Sequence, residues 1–207
     1  MANNYWKPVW DKLQAEQLTK TGIDPSSWKA AGRATKANPN KEDGGWWTVN
    51  GESMVDSWIE WRNGSHPWVL WEPYPGQPAI ELSLNPVWND VPVQMHIDRV
   101  MVNPDGELVV LDIKTGSRTP SSDMQLAFYA AGIEEMFGIR PKYGAYWMGR
   151  SGVVNELIDL DHLPKTAIID IVSKFDKARR EEIFLPNFSH CVMCGFVEKC
   201  KWKTKGI

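Results

Sequence analysis

The stretch "MHIDRVMVNPDGELVVLDIKTG", Met95 to Gly116, carries Asp98, Asp112 and Lys114 inside runs that are otherwise apolar and β-branched. Two carboxylates on adjacent strands can hold a divalent cation, which keeps part of its water and takes its remaining ligands from substrate phosphate. Such an ion stabilises charge on the phosphate and lowers the pKa of bound water. A nearby ammonium positions that water or stabilises the transition state. An Asp-x-Lys by itself equally suits an exposed strand face, where charges alternate with apolar residues. Two neighbours add weight to it. "IDR" lies on the preceding strand across a tight turn, and Gln125 and Tyr129, four residues apart, share one face of the following helix.

A second group lies in "HCVMCGFVEKC", which holds all three cysteines, Cys191, Cys194 and Cys200. In an intracellular protein this spacing suggests a metal more than a disulfide. Three thiolates leave one position to fill. His190, His162 or an outside ligand are the candidates, although adjacency to Cys191 makes joint ligation by His190 awkward. Reduced cysteines packed as small apolar groups are the alternative.

Placing these groups falls to the elements around them. Val91 to Val102 and Glu107 to Ile113 read as strands, and "NPDG" between them turns the chain back. In the second strand Leu108, Val110, Asp112 and Lys114 face one way, and Val109, Leu111 and Ile113 the other. Residues 7 to 20 predict a helix stopped at Gly22. Pro25 to Trp47 reads as irregular and polar, and Glu52 to Asn63 as a second helix followed by Gly64. The middle, "WVLWE", "AIELSLN", "VPVQMHIDRVMV" and "ELVVLDIK", is expected as an antiparallel meander. Ser121 to Phe137 predicts a helix capped by Ser121 or Ser122 and ended by Gly138. "KYGAYWMGR" and "VVNELIDL" predict a strand pair, and Lys165 to Glu182 a long amphipathic helix. This order points to a mixed α/β fold.

The 207 residues suit one substantial core, and 43% hydrophobic with 24% charged residues is ordinary for a globular chain. A net charge of −3 argues against a surface coated uniformly for nucleic acid. Local basic clusters remain: Lys177, Arg179 and Arg180 in the last helix, and Lys199, Lys201, Lys203 and Lys205 in the tail. Each reads either as a DNA contact or as a solvated face. Twelve tryptophans are far above ordinary usage. Most are expected in the core, and some of Trp46, Trp47, Trp58, Trp61, Trp68, Trp71 and Trp88 could stack on bases. "MANNYWKPVWDK" lacks the apolar core of a signal peptide, and no apolar run approaches bilayer length. The expected compartment is the cytoplasm, that of the host if the chain is phage-encoded.

Taken together, these residues resemble the PD-(D/E)XK nuclease superfamily, in particular its RecB-like branch, which includes CRISPR-associated exonucleases and small stand-alone phage exonucleases. The family pattern runs as a Gly-x-x-Asp-Arg-like strand, a hairpin, an Asp-x-Lys-Thr-Gly strand end and a helix with Gln-x-x-x-Tyr. Here those are "MHIDR", "LDIKTG" and "QLAFY", with Met95 in the place of the first glycine. The strong resemblance covers Glu81 to about Tyr129, and a weaker one reaches the cysteine tail.

The resemblance implies a restriction-endonuclease-like core, a mixed β-sheet flanked by helices with a C-terminal cysteine-bearing tail. Residues 1–183 would form the nuclease domain, with 1–50 as a helical and loop extension, and 184–207 the tail packed on it. Asp98 and Asp112 would bind Mg²⁺ or Mn²⁺ with the carbonyl of Ile113. Glu81 is either a further ligand or an exposed strand charge. Lys114 would act on the nucleophilic water, Gln125 would touch DNA or that water, and Tyr129 would pack. Where relatives carry a metal-binding His in a Gly-x-x-x-His context, "GESMVDSW" offers Val55 or Asp56, and Asp56 reads better as a helix-surface residue. Relatives also end in Cys-x-x-Cys-x(5)-Cys after an F-x-P segment, here Phe184 to Pro186, closing a [4Fe-4S] cluster with a fourth cysteine that this sequence lacks. Zn²⁺ is the other metal that would suit the three thiolates. The implied activity is a metal-dependent deoxyribonuclease. An exonuclease on single- or double-stranded DNA ends is expected, working with recombination, replication or repair proteins of a phage. The rivals are a non-catalytic DNA-binding protein of the same fold and a dimeric endonuclease.

Overall fold

A strand apolar on both faces has to be covered on both, and Leu108 to Ile113 is such a strand. Leu108 and Val110 belong to one buried cluster, and Val109 and Leu111 to another. The computed structural model describes residues 4–28, 42–64, 68–183, 191, 194–200 and 202. In chain order the elements are α1 (Trp6–Thr21), α2 (Gly44–Asn63), β1 (Val69–Leu70), β2 (Ile80–Leu84), β3 (Val87–Trp88), β4 (Val91–Pro92), β5 (Met95–Val102) and β6 (Leu108–Lys114). They continue with α3 (Met124–Phe137), β7 (Tyr143–Met148), β8 (Val153–Val154), β9 (Ile158–Asp159) and α4 (Lys165–Arg180). Short 3-10 turns occupy Pro25–Ser27 and Val197–Lys199.

The main sheet has seven strands along the path β1-β5-β6-β7-β8, with β2 also on β5 and β9 also on β7. Pairing of β5 with β6 is antiparallel, from Val102↔Leu108 to Arg99↔Leu111. Pairing of β6 with β7 is parallel, from Val109↔Tyr143 to Lys114↔Met148. The sheet is therefore mixed, as the fold class expected, and α3 is the crossover that a parallel neighbour requires. On one face α3 supplies Leu126, Ala127, Ala130, Ala131 and Ile133, and α4 supplies Ile168. On the other face Trp58 and Trp61 of α2 cover Met101, Val109, Leu111, Ala145 and Trp147. Helix α3 sits close to the sheet because β7 has a glycine beneath it: a Cβ on Gly144 would fall 2.8 Å from Leu126 Cδ1. Fewer tryptophans than expected are core: of the twelve only Trp88 and Trp147 are buried, while Trp58, Trp61, Trp68 and Trp71 pack partly buried against the two clusters, Trp58 edge-on to Trp147 at 5.0 Å.

Several expectations need correction. The middle is not a simple meander, since β1 and β2 both pair with β5, and "VVNELIDL" is two short strands, β8 and β9, both on β7. Helix α2 begins at Gly44, not Glu52, so Trp46 and Trp47 are helical. The Asp43 side chain caps it by accepting the Trp46 N–H (2.9 Å), which offsets the poor helix propensity of two glycines. Gly44 is also where α2 meets the Pro25 turn, since a Cβ there would collide with the proline. Val91 to Val102 is two strands: β4 folds back on β3 through Asn89 and Asp90, both at positive φ (48° and 65°), as a two-residue hairpin turn needs. Helix α3 starts at Met124, whose N–H reaches Ser122 Oγ (3.2 Å), later than the Ser121 start expected.

Helix α1 has no buried residue. It joins the fold through Trp6 and Trp10, whose indole N–H groups donate to the Thr48 carbonyl and Oγ1 (3.3 and 2.9 Å). Among the described residues no helix is long and apolar enough to cross a membrane.

The basic cluster of α4 is neutralised locally. Arg179 and Arg180 both bond Asp176 (2.9 and 2.6 Å), and Lys177 faces Glu181 at 3.9 Å. The Arg179 hydrogen bond, with Arg180, holds the Asp176 carboxyl below the usual carboxylate range. A carboxyl whose folded-state value is depressed adds stability above its unfolded value and loses it as pH falls through the folded one. Asp176→Asn is therefore expected to be less stable than the wild type at neutral pH, with the gap closing in acid. Denaturant midpoints measured from pH 7 downward check this; a gap that does not shrink would contradict it.

Candidate active site

The carboxylates meet where β5 and β6 part. Their ladder ends at Arg99↔Leu111. The next N–H of β6 on that side, Ile113, donates to Asp98 Oδ2 at 2.7 Å. A side-chain oxygen thus replaces the backbone carbonyl that would have continued the sheet. Strand β5 is irregular at the same place. Ile97 and Val100 both belong to the cluster on the α3 side although alternation would separate them, so the side-chain alternation breaks at Asp98 and Arg99 while the register with β2 stays continuous. Opposite, between the pairs Ile80↔Arg99 and Leu82↔Ile97, Glu81 adopts φ 49°, a sparsely populated conformation for a residue with a side chain. Because the N–H and C=O of one strand residue leave on the same side, the Ile113 carbonyl also points into the gap beside Asp98.

Asp112 is only 2% exposed. Its Oδ1 accepts from Gln125 Nε2 at 2.9 Å. Its Oδ2 lies 2.7 Å from Lys114 Nζ, off the line of a formed hydrogen bond, and has no aligned donor. Burial pushes the Asp112 carboxyl above its ordinary value; Lys114 pulls it back by contact and charge, while the charge of Asp98 raises it further. Gln125 is the hub of the group. Its Oε1 accepts from Lys114 Nζ (3.0 Å), and its Nε2 also donates to Tyr129 OH (2.8 Å). The i, i+4 spacing on α3 is what lets one amide be oriented by Tyr129 while bridging the strand's acid and base.

Asp98, Asp112, Lys114, Gln125 and Tyr129 are therefore brought together, with the Ile113 backbone. Glu81 is not in the group: its exposed carboxylate pairs with Arg99 at 3.5 Å, and Arg99 in turn lies over Trp58. Val55 is half-buried on α2 and Asp56 is exposed. His96 hydrogen-bonds Ser83 across β2 and β5 (2.8 Å). One member was not foreseen. Tyr146, buried on β7 in register with Asp112, lies with its ring 5.8 Å from Lys114 Nζ and donates its hydroxyl to the Ser122 carbonyl (3.1 Å). Burial raises its phenol above the ordinary value, as do the charges of Asp112 and Asp123. Only the parallel register could have found it, since nothing in "KYGAYWMGR" marks one aromatic over another.

The donor set suits a hard divalent cation. Asp98, the Asp112 Oδ2 and the Ile113 carbonyl offer oxygen donors, and Mg²⁺ is typically held by one or two carboxylates with water and phosphate completing its shell. Among the described residues no three His, Cys, Asp or Glu side chains converge as a metal cluster, so two carboxylates are what the protein offers here. In the tail, Cys191 and Cys200 are half-exposed and Cys194 is exposed. The Cys194 N–H reaches the Cys191 carbonyl (3.2 Å). His190, Phe184 to Pro186, Lys201, Lys203 and Lys205 lie outside the described residues. His162 is engaged at the start of α3, with Nε2 2.8 Å from Asp123 Oδ2 and Nδ1 2.8 Å from the Asp159 carbonyl.

No curated protein matches the sequence. The family model of the PD-(D/E)XK nuclease superfamily matches residues 5–201, spanning α1, the split sheet, the carboxylates and the cysteine tail. With that span, a mixed sheet flanked by helices and an Asp-x-Lys strand end opposite an aspartate, the chain belongs to the PD-(D/E)XK nuclease superfamily.

Proposed function

We propose that the protein is a metal-dependent deoxyribonuclease of the RecB-like branch that degrades DNA from its ends. The observation that carries this reading is Asp112: a buried carboxylate with one oxygen lacking an aligned donor, facing Asp98 across a gap between strands. An apolar sheet has no structural use for that arrangement, because an undersatisfied buried charge is costly. In this reading Asp98, Asp112 and the Ile113 carbonyl hold Mg²⁺ or Mn²⁺. The ion, when bound, neutralises charge on the scissile phosphate and acidifies water. Lys114, held by Gln125, orients the attacking water against the phosphorus and donates to the developing charge. Gln125 keeps Lys114 and Asp112 in mutual register, Tyr129 holds Gln125, and Tyr146 walls the lysine with an apolar ring. Glu81 stays outside the ion's shell unless β2 shifts at its strained residue.

The reading extends to the rest of the chain. Residues 1–183 form the nuclease domain with 184–207 as its tail, acting in the cytoplasm of a phage host in recombination, replication or repair. Cys191, Cys194 and Cys200 hold a structural [4Fe-4S] cluster or Zn²⁺ with a fourth ligand from outside the cysteines. The continuous family match from residue 5 to residue 201 supports treating domain and tail together.

Lys114→Ala and Asp112→Asn are each expected to lower cleavage of end-labelled linear DNA by about 10²–10³-fold, the range for losing one group that stabilises charge in the transition state, with EDTA abolishing it in the wild type. Covalently closed circular DNA should survive conditions that consume the linear form. Cutting of the circle would replace the exonuclease reading by an endonuclease one, and metal-independent binding without cleavage would leave a DNA-binding protein. In this reading Arg118, exposed in the loop between β6 and α3, meets a backbone phosphate. Arg118→Ala should weaken binding to all sequences alike and reduce the slope of log K against log salt by about 1, read by fluorescence anisotropy. For the tail, anaerobically purified protein should contain about one zinc or a cluster's iron per chain. Metal analysis showing neither would remove the tail site.

A further inference from the structure

A group outside the carboxylate site ties the first turn of α2 to the end of β6. Arg150, just beyond β7, donates from Nε to the Thr115 carbonyl at 2.9 Å. Its Nη2 donates to both oxygens of Glu42 (2.7 and 2.8 Å), and the guanidinium lies 4.7 Å from the Trp46 ring centroid. Glu42 is 8% exposed, so the acid end of the pair is buried while Arg150 reaches it from the surface, its side chain 26% exposed. The residue type is demanded by the geometry. A planar guanidinium can donate in two directions while stacking its face on indole, and an ammonium cannot.

What Arg150 holds is the part of β6 least supported by the sheet. On the β5 side the ladder has already stopped at Leu111. On the β7 side pairing reaches Lys114↔Met148 and is extended once, by the Gly149 N–H to the Lys114 carbonyl (2.8 Å). Thr115 is the first residue beyond, and from there to Thr119 the chain is exposed. Arg150 is thus a tie at the point where the strand bearing Asp112, Ile113 and Lys114 turns into a loop.

We propose that Arg150, fixed by Glu42 and Trp46, is a positioning residue: by holding the Thr115 carbonyl it sets the Asp112 carboxylate, the Ile113 carbonyl and Lys114 for the divalent cation and the attacking water. This rests on the nuclease reading. Its action is through the strand end, with no contact to substrate. Groups that orient metal ligands from outside are worth about 10–100-fold in metal affinity or activity, which sets the expected effect.

The test compares wild type, Arg150→Lys, Arg150→Ala and Glu42→Gln in two measurements: kcat and KM on linear DNA with Mn²⁺, and Mn²⁺ affinity by calorimetry without DNA. Both arginine variants should lose about 10–100-fold in kcat with KM for DNA unchanged, and should bind Mn²⁺ more weakly by a similar factor. Guanidinium ion added to Arg150→Ala should restore part of the activity, and Glu42→Gln should move in the same direction by less. Unchanged kcat and Mn²⁺ affinity in the folded variants overturn the inference. So does a loss that follows only the fraction of unfolded protein, with Mn²⁺ affinity per folded molecule intact. Should the arginine variants not fold, Glu42→Gln decides by the same two readouts. A wild type that binds Mn²⁺ but cleaves nothing overturns the nuclease reading instead, and the Mn²⁺ titrations still decide whether Arg150 sets the carboxylates.

Discussion

Strand β7 can lie parallel to β6 only because the chain leaves the end of β6, crosses a face of the sheet and returns, and α3 is that crossing. The crossover must begin where β6 ends, so the first turns of α3 are obliged to sit over the C-terminal end of β6. That end carries Asp112 and Lys114, and those turns carry Gln125 and Tyr129. Parallel pairing also sets Tyr146 beside Asp112 and brings Gly149 and Arg150 to the place where β6 runs out. The site is therefore assembled by one β-α-β unit, and the antiparallel partner β5 contributes a single carboxylate from outside it.

That carboxylate works by interrupting the sheet. Had β5 stayed in register past Arg99, the Ile113 N–H would have met a backbone carbonyl and no gap would exist. Asp98 takes the N–H instead, so opening the strands leaves no buried donor unpaired. The compensation is incomplete at Asp112, where one oxygen is left with an ion pair at poor angles, and across the gap at Glu81, whose backbone is forced to positive φ. Local cost at these two points, with order everywhere around them, is the pattern expected where a site and not the core dictates geometry.

Much of this was legible in the sequence. Alternation correctly put Asp112 and Lys114 on one face with Leu108 and Val110, "NPDG" turned the hairpin, and Gln125 with Tyr129 shared a helix face. Glycine ended α1 and α3 in the left-handed conformation at Gly22 and Gly138. What was not legible depended on distance along the chain. Alternation assumes a regular strand, so it cannot show where that alternation breaks at Asp98 and Arg99. Helix propensity gave no reason to start α2 at two glycines, because the reason is a cap at Asp43 and a close approach to Pro25. Tyr146 needed the parallel register, and the Glu42–Arg150 pair joins residues 108 positions apart.

The charge pattern has a consequence for how nucleic acid would be met. The net charge is −3, and the most basic stretch of the described chain, in α4, is tied to Asp176 and Glu181. Its positive field is largely cancelled within one helical turn, and what remains is screened over about 10 Å at 0.1 M salt. In the proposed nuclease reading, attraction for a phosphate backbone is then generated close to where the backbone is cut. In that reading the loop after Lys114 is the natural source, since Arg118 is exposed in it and the carboxylates beside it would lose their net repulsion once a divalent ion is bound. Binding and metal loading would then be coupled: without the ion, Asp98 and Asp112 would oppose the approach of phosphate, and with it they would become part of the attractive surface.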